Sequence, residues 1–354
     1  MNRQSRRLYA SGNSCREILG SLLAVGIAFA AGIVIISLTS RSPGEALSAF
    51  FLGPFSSRYN ISTLLTSMIP LIITGLALSI SFQSQIWNLA ADGQVYFGAF
   101  IGIAVGLGIP ELPSFIAVPV ILCASVIAGA VVGILPAILK IKLNINELII
   151  SFMISLIIVP VVNYFLSGPM QAPGEGINAT HYVNKSFVLP KLLPPYDLIA
   201  GFIIALVLIL IVYLFLYWTH TGTSLRLYGF NREFAHYGGI SESKTIFLSM
   251  MLSGGLCGLA GCITSLGIYH GRLIEFSTSG FGWSGIAVAL VARYNPIAVF
   301  PAALLLSYLL TGANLSGLMS DIPPESAQVV IAVIYYLVTA KVLLKLIPKR
   351  TQGV

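Results

Sequence analysis

Hydrophobic residues run through this chain in long blocks, separated by short polar stretches. A membrane-spanning helix needs about 20 mostly apolar residues. Blocks of that kind fall at 19–38, 61–81, 95–109, 115–139, 147–166, 197–218, 246–268, 281–292, 295–312 and 327–346. The pattern predicts an all-α polytopic membrane protein with about ten transmembrane helices. Two blocks, 95–109 and 281–292, are too short to cross alone. Each is preceded by a polar, glycine-bearing stretch, IWNLAADGQ and FSTSGFGW respectively. Irregular backbone is tolerated at membrane depth only where it is buried in protein or lines a cavity, so such interrupted segments point to a substrate path. The apolar run from Ile18 to Leu38 is too long for a signal-peptide core and no convincing cleavage site follows it, so it reads as a retained first span.

Composition supports the membrane reading. Of 354 residues, 56% are hydrophobic and 9% charged, where a soluble domain carries about 25% charged residues. The net charge of +7 is not a nucleic-acid signal, because the basic residues flank the ends of apolar runs. An inside N-terminus and ten spans put Arg3, Arg6, Arg7, Arg16, Lys140, Lys142, Arg226, Arg232, Lys244, Arg293, Lys341, Lys345, Lys349 and Arg350 inside. Arg41, Arg58, Lys185, Lys191 and Arg272 then fall outside, 14 against 5 of the 19. This is the positive-inside bias, and it predicts both termini in the cytoplasm. The expected organisation is a cytoplasmic segment 1–18, a single transmembrane domain 19–346 and a tail 347–354. An external loop covers 167–196 and a cytoplasmic loop 219–245. In the latter, Asn231 is placed to cap a short helix over 232–237 that Gly238-Gly239 would end.

Several chemistries are excluded. No Gly-Lys dipeptide occurs, so the chain holds no P-loop, and no HExxH or GxSxG occurs. Gly282-Trp283-Ser284-Gly285 imitates an intramembrane serine protease motif, but the last histidine, His270, precedes it, and the serine would need a base. The cysteines Cys15, Cys123, Cys257 and Cys262 lack metal-ligand spacing and read as small buried hydrophobes. Glycines at four-residue spacing (98, 102, 106; 129, 133; 254, 258) read as helix-packing stripes. Asp92 is the one acid deep between apolar runs. It reads either as a pathway residue or as a cap for the Gly93-Gln94-Val95 amides of its own helix. Trp87, Asn88 and Gln94 share its segment, and an aromatic beside amides suits a flat polar ligand. Asn146-Glu147 reads as a helix start.

Five stretches, in order, resemble one family. IWNLAADGQ, NELIISFMISLI, SLRLYGFNREFAHYGGI, SGGLCGLAG and GFGWSGIAVALVARYNPIAV are similar to motifs of permease subunits of bacterial nucleoside ABC importers. These belong with the ribose, simple-sugar and branched-chain amino acid type II importer permeases. The resemblance covers roughly residues 60–345 and implies a non-enzymatic transport subunit in the bacterial inner membrane. It implies no cofactor in this chain, ATP being used by two cytoplasmic ATPase subunits. A second permease subunit, identical or not, would complete the pore, and an external substrate-binding protein, a lipoprotein, would deliver a nucleoside. By match, the substrate pathway falls to Trp87, Asn88, Asp92, Gly93, Gln94, Phe281, Gly282 and Trp283, with Gly285 following. ATPase coupling falls to Arg226, Gly229, Asn231, Arg232, Glu233, Ala235, Gly239 and Ile240. The sequence departs from the pattern at Asp92, where Glu is usual, at Leu89-Ala90, at Ser284, at Ala292 and at His236-Tyr237. A permease for ribose or another simple sugar is the alternative, and a stand-alone secondary transporter a more distant one.

Overall fold

The computed structural model describes residues 26–27, 29–174, 176–275, 280–320, 329 and 331–333. The expected last span 327–346 therefore lies almost wholly outside the described residues, as do both termini and part of the first span 19–38. Contacts divide the chain into two units, Ile61–Ser307 and a second drawn from Met1–Asn60 and Tyr308–Val354.

The regular elements among the described residues are all helical, with only isolated bridges in the loops. In chain order the helices are α1 (Phe29–Thr39), α2 (Pro43–Phe51), α3 (Arg58–Gln83), α4 (Ala91–Gly108), α5 (Ser114–Leu143), α6 (Glu147–Leu166), α7 (Gly201–Trp218), α8 (His220–Phe230), α9 (Arg232–Tyr237), α10 (Glu242–Gly267), α11 (Phe281–Val291) and α12 (Pro296–Met319). Seven of them, α3 to α7, α10 and α12, are long and apolar enough to cross a membrane. One expectation is corrected here. The block at 95–109 is not a short half-span, because α4 takes in the polar residues Asp92, Gly93 and Gln94 and reaches 18 residues. Those polar groups find partners in neighbouring helices, so they need not break the helix. Helix α11, at 11 residues, spans only about 16 Å and is short as expected. Helices α2 and α8 were not anticipated.

Within Ile61–Ser307 the core is built on α10, which packs along both α4 and α5. Glycine makes this possible. A Cβ on Gly258 would fall 3.0 Å from the Gly129 Cα, and one on Gly102 would fall 2.6 Å from Cys262 Sγ. The predicted small-residue stripes are thus the seams along which α4 and α5 meet α10, where van der Waals contact replaces the hydrophobic drive that lipid abolishes. Cys257 and Cys262 are buried in this core, whereas Cys123 is exposed on α5. Cys15 lies outside the described residues.

The loops of this unit gather into two groups. One joins 109–113, 167–200 and 268–275. There Asn184 Nδ2 donates to Pro110 O at 2.9 Å, Thr180 N to Leu273 O at 2.9 Å and Val183 N to Gly271 O at 2.8 Å. The other joins 83–90, 140–147, 219–245 and 293–295, as described below. In the second unit, Phe29 stacks on Phe51 (5.6 Å between centroids), Phe55 stacks on Tyr308 (5.6 Å), and the Tyr308 hydroxyl donates to Phe51 O at 2.9 Å.

Candidate functional site

The connection between α3 and α4 carries most of the residues singled out from sequence. Asn88 and Gln94 are fully buried and hold each other as a reciprocal amide pair. Asn88 Nδ2 donates to Gln94 Oε1 at 2.9 Å and Gln94 Nε2 to Asn88 Oδ1 at 3.3 Å. Asn88 also donates to Ser253 Oγ of α10 at 2.9 Å and accepts from Ala90 N at 3.1 Å. Helix α6 supports the same backbone with two serines one turn apart. Ser151 Oγ accepts from Leu89 N at 3.1 Å and Ser155 Oγ from Gly93 N at 2.9 Å. Gly93 is required at that contact, since a Cβ would fall 2.9 Å from the Ser155 Cα. The Leu89, Ala90 and Gly93 amides are therefore partnered within the protein, as burial among helices demands.

Asp92 does not cap its own helix, because Ser155 takes Gly93 N and Gln94 N donates to Ala90 O at 2.9 Å. Its Oδ1 accepts instead from Gly280 N at 2.8 Å and Gly282 N at 3.2 Å. Asp92 is thus the N-terminal cap of α11, supplied from a segment 188 residues away. A carboxylate there satisfies orphan amides and complements the positive end of the helix dipole. Gly282 lets the two helix starts touch, for a Cβ on it would fall 2.6 Å from the Asp92 Cα. Gly285 likewise lies against Thr74 of α3, 2.6 Å from its Cβ. Phe281 is half-buried and Trp283 is 50% exposed, its ring edge-on to Phe152 at 6.1 Å. Trp87 packs on Phe82 at 4.6 Å and lines a polar cavity of about 540 Å³. Gln85, Lys140, Asn144, Asn146, Glu147, Leu148 and Arg232 form the rest of its wall. Glu147 pairs with Lys140 at 3.2 Å, and Asn146 Oδ1 caps α6 by accepting from Leu148 N at 2.9 Å.

The predicted short helix over 232–237 is present as α9. Asn231 Oδ1 accepts from Phe234 N at 2.9 Å, and the helix closes at Gly238, with Gly239 at φ +77°. Ala235 is buried in an apolar cluster with Ile86, Ala137, Tyr228, Ile246 and Met250, against which Ile141 and Ile240 pack. The Tyr228 hydroxyl donates to Glu242 Oε1 at 2.7 Å, and burial together with that carboxylate keeps it protonated well above the usual tyrosine range. Arg232 Nη2 donates to Gln85 O at 3.4 Å, and Arg226 lies over the Tyr217 ring at 4.2 Å. Gly229 abuts the Gln83–Ser84 backbone, leaving no room for a side chain. Glu233 is exposed. Three aromatics outside the expected coupling residues stand out in solvent: Phe230 at 89%, Phe234 at 62% and Tyr237 at 90% exposure. Their spacing of four and then three residues was the available signal. Among the described residues, no group of three or more His, Cys, Asp or Glu could hold a metal ion.

Seven long apolar helices, a short apolar helix capped from another segment and a docked polar loop define a multi-pass membrane protein. The family of the branched-chain amino acid transport system, permease component, matches residues 60–339, and the chain belongs to it. It is a transport subunit, not an enzyme. The guanosine ABC transporter permease protein NupP of Bacillus subtilis (strain 168) is 30% identical over 92% of this chain and 93% of its own length. The nucleoside ABC transporter permease protein NupB of Lactococcus lactis subsp. cremoris (strain MG1363) is 28% identical over 95% of each. The glucose ABC transporter permease protein TsgB13 of Haloferax volcanii is 27% identical over 90% of this chain and 87% of its own. No solved structure matches significantly.

Proposed function

We propose that this chain is the membrane-spanning subunit of an ATP-driven importer and forms the path for nucleosides. The observation that carries the substrate class is the pair of nucleoside-transporter relatives that align with more than nine-tenths of the chain. A glucose permease at 27% identity makes a simple sugar the second reading. The pathway would run beside the Asp92-capped start of α11, with Phe281, Trp283 and Trp87 offering ring faces to a flat base. Asn88, Gly93 and Gln94 would act by holding this backbone, since their polar groups are already engaged.

Orientation follows from charge. The loop group containing 83–90, 140–147, 219–245 and 293–295 carries Lys140, Lys142, Arg226, Arg232, Lys244 and Arg293. It is read as cytoplasmic, with both termini on the same side and about ten spans in one transmembrane domain 19–346. The loop around α8 and α9 would dock on a separate ATPase. Arg226, Gly229, Asn231, Ala235, Gly239 and Ile240 shape it, and Arg232 and Glu233 join Phe230, Phe234 and Tyr237 at its surface. A second permease subunit and an external lipoprotein that delivers substrate complete the assembly.

The test is uptake of labelled guanosine and labelled glucose by cells with and without this chain. Guanosine uptake that depends on the chain supports the proposal, and glucose uptake alone would replace nucleoside with sugar. A phosphatase reporter, active only outside, should be active when fused after Thr180 and silent after Arg232. The reverse pattern would overturn the orientation.

A further inference from the structure

Helix α11 is held at both of its ends by one stretch of chain. At its start, Asp92 Oδ1 accepts from Gly280 N and Gly282 N at 2.8 and 3.2 Å. Just past its end, Gln83 Nε2 donates to Tyr294 O at 2.6 Å, and the Phe82 ring meets the Tyr294 ring edge-on at 5.7 Å. Arg293 and Tyr294 there adopt φ of +50° and +63°, so the turn has a fixed, left-handed shape that a pull on Tyr294 passes directly to α11. Residues 82–92 therefore bracket an 11-residue helix that is too short to anchor itself across a bilayer.

The opposite face of the same stretch belongs to the loop around α8 and α9. Ile86, 2% exposed, is buried among Ala137, Tyr228, Ala235, Ile246 and Met250, and Ile240 packs on that cluster. Gly229 lies directly on the Gln83–Ser84 backbone, and Arg232 donates to Gln85 O at 3.4 Å. Three independent kinds of contact thus tie the loop to the connection: apolar burial, backbone apposition and a charged hydrogen bond. Packed interiors resist continuous deformation. A displacement of α9 must therefore either break this cluster or carry residues 83–90 with it, and α11 follows through Gln83 and Asp92.

We infer that the connection 83–90 is the transmission element that moves α11 with the cytoplasmic loop, and that Ile86 and Gln83 are its positioning residues. This rests on the reading of the chain as an importer permease driven by a separate ATPase. In that reading ATP-linked motion of α9 reaches the substrate path through the α3–α4 connection rather than through the long helices α7 and α10 that flank the loop.

The test uses the complete importer, purified with its ATPase and reconstituted with its substrate-binding protein. ATP hydrolysed and guanosine imported are measured together. Ile86→Ala should leave assembly by gel filtration intact and raise the ATP hydrolysed per guanosine imported by roughly three- to tenfold. Ile86→Leu, which conserves volume, should restore the ratio. Gln83→Met keeps the length of the side chain, removes its donor to Tyr294 and leaves the Ile86 cluster whole. It should raise the ratio in the same direction, and it decides the matter if Ile86→Ala does not assemble. Hydrolysis and import falling in proportion, with an unchanged ratio, would overturn the inference and leave the permease reading standing. Failure of the wild-type chain to recruit an ATPase at all would overturn that reading itself.

Discussion

Removing the Asp92 carboxylate should loosen α11 more than it disturbs the helix that carries Asp92. In Asp92→Ala, the Gly280 and Gly282 amides, now 2.8 and 3.2 Å from Oδ1, lose their acceptor. Each stranded N–H costs about 1–2 kcal/mol, the lower half of the usual range because both bonds are only part-buried, so a total of about 2–4 kcal/mol is expected. Helix α4 loses nothing comparable, because Ser155 Oγ and Ala90 O already take the Gly93 and Gln94 amides. At about 1–2 °C per kcal/mol for a chain of 354 residues, the apparent Tm should fall by roughly 3–6 °C. Asp92→Asn keeps an acceptor oxygen and loses only the charge assistance, about 1 kcal/mol. The assay is thermal unfolding of the purified permease in detergent at one scan rate, beside hydrogen exchange of residues 280–291. The two variants should separate clearly, with faster exchange confined to α11. An Asp92→Ala protein that melts within about 1 °C of wild type, or faster exchange in α4 instead of α11, would refute the reasoning.

Three further outcomes follow from the packing and capping. Gly129→Val forces side-chain volume into the seam where a Cβ would lie 2.9 Å from the Gly258 Cα. It should destabilise by about 1–3 kcal/mol or more, seen as a lower melting temperature and lower yield of folded permease. Asn231→Ala should cost α9 about 1 kcal/mol and speed exchange over 232–237, whereas Asn231→Asp should be close to neutral. Alanine at Phe230, Phe234 and Tyr237 together should leave the melting temperature unchanged, since all three are exposed. The same variant should weaken recovery of the ATPase in a pull-down, and undiminished recovery would remove these rings from the docking surface.

What the sequence made legible was local. Asn231 and Gly238-Gly239 announce both ends of α9 within nine residues, because capping is a short-range arrangement of side chain and backbone. The glycine stripes announce α4, α5 and α10 as close-packed because four-residue spacing alone puts small residues on one face. The role of Asp92 was not legible, since its partners lie almost two hundred positions away and a cap supplied from another segment leaves no local trace. Helix α4 was read too short for a related reason. The string Asp92-Gly93-Gln94 looks like a break until Asn88, Ser155 and Ser253 are seen to satisfy it. The packing of Ile86 against Ala235 is equally a property of the folded chain, as neither residue stands out from dozens of other apolar ones.

The most direct test of the central claim is transport by the purified importer. The permease with its ATPase is placed in liposomes, substrate-binding protein and labelled guanosine are supplied on one side, and ATP on the other. The account predicts ATP-dependent accumulation of guanosine that excess inosine reduces and excess glucose does not. Accumulation without ATP, or ATP-dependent accumulation of glucose with none of guanosine, would contradict it.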